Sequence, residues 1–168
     1  MLRALYLLSV WVHILAATVW IGGMLFLVLV VVPWLRSSRG VDAATLLRDT
    51  GRRFRAVGWA CFGIVAATGT FNLWMRGVRL ASFVDERWLA SAFGRTVLFK
   101  LALFAVVLVV SAVHDWVLGP RATRALRSDP RSPEALRLRR QASVLGRLNV
   151  ALALMLLAAG VGLVRGWG

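Results

Sequence analysis

Two histidines, His13 and His114, are the residues in this chain best equipped for chemistry, and both lie inside long apolar runs. An ionisable side chain within a membrane span is costly, so it is a functional candidate by default. Imidazole at such a place reads first as a metal or cofactor ligand. Helical spacing supplies their neighbours. His13, Ala17, Trp20 and Met24 share one stripe of the first run. Cys61, Val65, Thr68, Asn72 and Met75 share one in the second, and Lys100, Leu103, Val107, Val110 and His114 one in the third. Each run therefore gathers its polar groups on a single face, which should point into a bundle.

Depth sorts these groups into two clusters. His13, Asn72 and Lys100 fall at one level, with Met75 nearer the surface; Cys61, His114 and Asn149 fall at the other. The two histidines differ in depth by roughly 20 Å at 1.5 Å per residue. One small metal ion cannot take both from one chain, so they serve different sites or a second subunit completes each. The competing reading is that these are hydrogen-bonded packing polars between helices. For Met24, Met75 and Cys61 it is ordinary apolar filling, and for Lys100 it is a lysine reaching toward the surface.

The elements that must position these residues are transmembrane helices. Apolar residues make up 60% of the 168, with a mean hydropathy of +0.75. A soluble domain of this size could not hide so much apolar surface. The expected fold is all-α, a four-transmembrane-helix bundle of up-down topology in one integral membrane domain. Its spans are expected at about 4–35, 56–75, 96–118 and 145–166, set in a lipid bilayer. Pro33 should end the first helix, and Ser132-Pro133-Glu134 reads as a helix start well before the last span. The segment from Val41 to Arg55 reads as an amphipathic interfacial helix. Trp34, Trp59, Trp74, Trp116 and Trp167 sit at run ends, as an interfacial aromatic belt requires. Gly22-Gly23, Gly69, Gly160 and Gly162 permit close helix packing. The first run is too long for the core of a signal peptide and stays as an anchor.

Charge sets the orientation. The chain carries 21 basic and 7 acidic residues, a net +14. Six arginines fall between Arg36 and Arg55, and eight between Arg121 and Arg147. The loops 36–55 and 119–144 should therefore be cytoplasmic, with both termini outside. The basic residues lie between apolar runs and accompany no base-reading motif, so nucleic acid is not an expected partner. The one cysteine, Cys61, allows no internal disulfide. A hydrolase is not expected, for there is no Gly-x-Ser-x-Gly, Cys-x-x-Cys, His-Glu-x-x-His or phosphate loop. Whether the chain is an enzyme at all stays open. Asp115 follows His114 and should not share its helix face, which leaves it a place at the inner water interface.

The run from His13 through Trp20-Ile-Gly22-Gly23-Met24 to Pro33-Trp34-Leu35-Arg36 resembles the copper-resistance D (CopD) family. Arg53-Phe54-Arg55 with Thr68-Gly69, and Lys100-Leu101 with His114-Asp115, extend the resemblance through the second and third helices. It implies a bacterial inner-membrane protein that transports copper or accepts it from a periplasmic CopC-type carrier. His13 and His114 are then the first ligand candidates, with Met24 and Cys61 as further soft donors. The scarcity of methionine argues against a path for bare copper. The Trp, Gly and Lys-Leu…His pattern is also similar to HemJ-type haem-binding membrane proteins. That resemblance implies a haem b oxidoreductase or electron-transfer protein, with an axial imidazole, Lys100 at a propionate, and Asn72 and Trp20 beside the cofactor. A third possibility is an accessory subunit of a larger membrane complex, or a homo-oligomer.

Overall fold

The computed structural model describes residues 1–37, 43–129 and 131–165. Among these the chain is helical, with no strand. Helix α1 (Leu2–Phe26) passes through a π-helical turn (Leu27–Val31) into α2 (Val32–Ser37). Helix α3 (Ala43–Met75) returns. A 3₁₀ turn (Leu80–Val84) and the short α4 (Glu86–Ala90) lead into α5 (Ala92–Ala112). A second π-helical turn (Val113–Leu118) joins α5 to α6 (Gly119–Ser128), and α7 (Pro133–Arg165) completes the chain. Four helical segments, Leu2–Leu35, Arg48–Met75, Ala92–Ser128 and Pro133–Val164, are long and apolar enough to cross a membrane. Helices suit that medium because every backbone bond closes within the segment.

The helices run antiparallel around a ring. His13 of α1 meets Thr68 of α3, and further along Trp20 meets Phe62. Lys100 of α5 reaches Gly160 of α7; eleven residues on, Ser111 bonds Asn149, eleven residues back. Phe62–Phe104 and Trp59–Trp116 ring contacts join α3 to the third span, and Asn149 to Met24 closes the ring from α7 to α1. The core is Ala16, Trp20, Ile21, Met24, Cys61, Phe62, Val107 and Ala153. Only 17 to 22% of each span's apolar window is buried inside the bundle. The outward residues, such as Leu5, Leu8, Val19, Val106, Val109, Leu157 and Val161, are large and apolar. Water would reject such a surface, whereas lipid accepts it.

The helices extend past the expected spans, and Pro33 does not end the first one. The chain stays helical to Ser37, with the π turn placed just ahead of the proline. The wider turn gives room where a regular turn would press the ring on the preceding carbonyls. The second π turn likewise precedes a proline, Pro120. Ala43 to Arg55 is the first part of α3 and not a separate interfacial helix; Val41, Asp42 and Trp167 lie outside the described residues. The expected start of the last helix is present: the Ser132 hydroxyl accepts from the Ala135 amide at 3.2 Å, and Pro133 opens α7.

Short-range chemistry builds the connection between the second and third spans. Gly77 takes φ +84° after α3, and the Val78 amide donates back to the Leu73 carbonyl at 3.1 Å. This is the glycine-terminated helix end that a side chain would disfavour. Asp85 caps α4 through the Arg87 and Trp88 amides, and Ser91 caps α5 through the Gly94 amide.

Candidate functional site

The three polar stripes do face inward. Trp20, Met24, Cys61, Leu103 and Val107 are buried, and His13, Thr68, Asn72, Lys100 and His114 are half-buried beside them. The two histidines occupy opposite ends of the bundle.

At the end that carries the termini, His13 Nδ1 lies 2.8 Å from Thr68 Oγ1. The single Thr68 hydroxyl hydrogen is already given to the Ile64 carbonyl, 2.6 Å away. Thr68 can therefore only accept from His13, so His13 carries its proton on Nδ1 and keeps the lone pair of Nε2 free. Gly69 makes the contact possible: a Cβ there would stand 3.3 Å from His13 Cε1. Ser9 adds a weaker bond to the Thr68 carbonyl, at 3.5 Å. The Lys100 charge lies within electrostatic range of His13, and that of Arg76 within range of Lys100. Its ammonium reaches α7 at Gly160, where an added Cβ would sit 3.4 Å from Nζ. Asn72 has a buried Oδ1 with no hydrogen-bond partner among the described residues.

At the arginine-rich end, His114 sits in the second π turn. Its Nδ1 lies 3.1 Å from Oδ1 of Asp115, the next residue. On a regular helix adjacent side chains diverge by about 100°; this pair is bonded nonetheless, within the wider π turn. The expectation that Asp115 would leave its neighbour for the interface is thus corrected. A carboxylate only accepts, so His114 donates from Nδ1 and Nε2 is again the free nitrogen. Trp59 Nε1 donates to Asp115 Oδ2 at 3.0 Å, Arg55 Nη1 donates to the Asp115 carbonyl at 2.9 Å, and Trp59 stacks on Trp116 at 4.5 Å. His114 Nε2 faces Gly146 of α7, 3.9 Å from where a Cβ would be. The His114 side chain is 38% exposed and that of Asp115 21%.

The cluster of Cys61, His114 and Asn149 expected here is not what forms. Asn149 Nδ2 donates to Ser111 Oγ at 2.9 Å and to Met24 Sδ at 3.7 Å. Cys61 packs in the apolar core near Trp20 and Phe62. Among the described residues no group of three His, Cys, Asp or Glu side chains is placed to hold a metal ion. Each histidine is a single protein donor with its orienting partner. Thr68, Asp115, Trp59 and Ser111 are the functional neighbours that sequence reasoning did not assign. Thr68 stood on the inward stripe of the second run but in neither expected cluster, and nothing in the sequence announces the π turn in which Asp115 meets His114.

The profile of the family described as "Copper resistance protein D" matches residues 48–164. The match contains His114, Asp115, Lys100 and Thr68, and begins beyond His13. An uncharacterized protein of Aquifex aeolicus (strain VF5) is 30% identical over 155 residues, covering 92% of each chain. The "Copper transport protein CutJ" of Bacillus subtilis (strain 168) is 29% identical over 103 residues, which is 61% of this chain and 17% of that one. No solved structure matches.

Proposed function

The chain belongs to the copper resistance protein D family, and from that premise we propose that it passes copper between two single-imidazole stations, His13 and His114, at opposite ends of the bundle. The observation that carries this reading is the shared form of the two rings. Each is held through Nδ1, by Thr68 in one case and Asp115 in the other, with Nε2 left bare. That is how proteins present a metal-ligating histidine: the outer hydrogen bond fixes the tautomer and the ring plane. The stations stand roughly 20 Å apart, from 1.5 Å per residue over the fourteen residues between the Lys100 and His114 levels. They are therefore separate sites. The remaining ligands at each come from water or the molecule that hands copper over, since among the described residues no group of three His, Cys, Asp or Glu side chains is gathered to hold a metal ion. Methionine is scarce, so the soft donors of an internal route reduce to Met24 and Cys61, both buried in the core between the ends, and the reading rests on these two to bridge the stations.

Haem b is the weaker reading. Val107 and Ala153 in mid-bundle are fully buried, and Trp20, Phe62 and Phe104 interlock edge to face. A porphyrin between the helices would need that space. Orientation follows the arginines: the His114 end faces the cytoplasm of a bacterial inner membrane, and the His13 end meets an extracytoplasmic copper carrier.

The test is flux. Purified protein in liposomes that enclose a Cu(I)-sensitive dye should admit Cu(I) faster than protein-free liposomes, and both His13→Ala and His114→Ala should return the rate to that baseline. A wild-type rate equal to the baseline, or variants as fast as wild type, overturns the reading.

A further inference from the structure

The arginine-rich end carries a second feature, independent of the histidines. Leu118, Arg140, Gln141, Val144 and Leu145 line an open cleft of about 420 Å3 where the second π turn and α6 lie against α7. Its lining is graded along α7. Val144 and Leu145 stand just ahead of the uncharged run that begins at Leu148, and Arg140 lies a turn further from it. Eight residues of helix place Arg140 roughly 12 Å below Leu148. The cleft is thus aliphatic on the side nearer the uncharged run, from which Arg147 separates it, and polar on the far side, through Arg140 and Gln141.

The Arg140 guanidinium is exposed and open to a ligand. Among the described residues the ion pairs are Arg48–Asp49 and His114–Asp115, and Arg140 has no carboxylate partner. Arg121, Arg124 and Arg127 of α6 and Arg137 and Arg139 of α7 raise the positive field around it. A guanidinium at the mouth of an aliphatic groove, beyond the end of an uncharged membrane run, is complementary to one class of ligand. We infer that this cleft is a binding site for an anionic phospholipid, the phosphate on Arg140 and an acyl chain against Leu118, Val144 and Leu145. A retained lipid here would pack between α6 and α7 beside the turn that holds His114.

The test uses the full chain, delipidated in detergent and mixed with equal amounts of dioleoyl-phosphatidylglycerol and dioleoyl-phosphatidylcholine, with bound lipid counted by native mass spectrometry. The wild type should retain phosphatidylglycerol preferentially. Arg140→Gln should lower that retention about fivefold, the factor for one basic residue near an anionic surface. Arg124→Gln, which removes an equal charge outside the cleft, should leave it within twofold. Val144→Trp, which fills the groove and spares the arginine, should lower retention of both lipids. Equal retention of the two lipids by the wild type overturns the proposal. So does an equal loss in Arg140→Gln and Arg124→Gln, which would mark a diffuse charge effect. Displacement of the lipid by millimolar inorganic phosphate also overturns it, because the aliphatic wall would then contribute nothing. Elution as a monodisperse peak checks that each variant is folded.

Discussion

His114 and Asp115 are adjacent in sequence and hydrogen-bonded through their side chains, Nδ1 to Oδ1 at 3.1 Å. The pairing occurs within the π turn Val113–Leu118, and Trp59 from α3 holds the other carboxylate oxygen. The indole thereby fixes the carboxylate, and the carboxylate fixes the imidazole. His13 reaches the same end by a different route, through the Thr68 hydroxyl.

Replacing Asp115 tests the orienting role at the arginine-rich end. Asp115→Asn keeps the shape but offers an amide in place of a carboxylate, so His114 loses its strong acceptor. Cu(I) affinity at this station should fall about 10- to 100-fold, the usual loss for an outer partner of a ligating histidine. Competition with a chromophoric Cu(I) chelator reads it in the His13→Ala background, where only this station remains. An unchanged affinity would remove Asp115 from the account.

Thr68 offers a cleaner pair of variants. Thr68→Val removes the acceptor at constant volume, and Thr68→Ser keeps it. In the His114→Ala background the valine variant should lose about tenfold in Cu(I) affinity and the serine variant little. Equal losses would assign Thr68 to packing alone.

The bond between Asn149 and Ser111 is a mid-bundle contact between α7 and α5. A double-mutant cycle of Asn149→Leu and Ser111→Ala, read by unfolding in mixed micelles, should give a coupling of about 0.6 kcal/mol, typical of interhelical bonds in membranes. A coupling indistinguishable from zero would mean that the two side chains do not meet.

Topology is tested by thiol labelling in the Cys61→Ala background. A membrane-impermeant maleimide added to intact cells should label Ser82→Cys, in the 3₁₀ turn between the second and third spans, and not Ser132→Cys at the start of α7. The opposite pattern would invert the orientation drawn from the arginines.

Much of this architecture is legible in the sequence because lipid makes simple demands. Uncharged runs of sufficient length become helices, and costly polar residues must point inward, which is why the stripes of His13, Asn72 and Lys100 face the bundle. Depth counting even sets His13 and Lys100 at one level. The second cluster was not legible. Cys61 is small and apolar enough to stay in the core, and Asn149 finds Ser111, a residue too common in spans to stand out. Asp115 misled the helical count because the count assumes 3.6 residues per turn, and the chain leaves that period just ahead of Pro120. The same local departure carries the first helix past Pro33.

The central claim is that copper meets two independent imidazoles. Detergent-purified protein loaded with Cu(I) and desalted should hold two equivalents by elemental analysis. His13→Ala and His114→Ala should each hold one, and the double variant none. Loss of all copper in either single variant would mean one shared site, and full retention in both would mean that neither histidine is a ligand; either result contradicts the account.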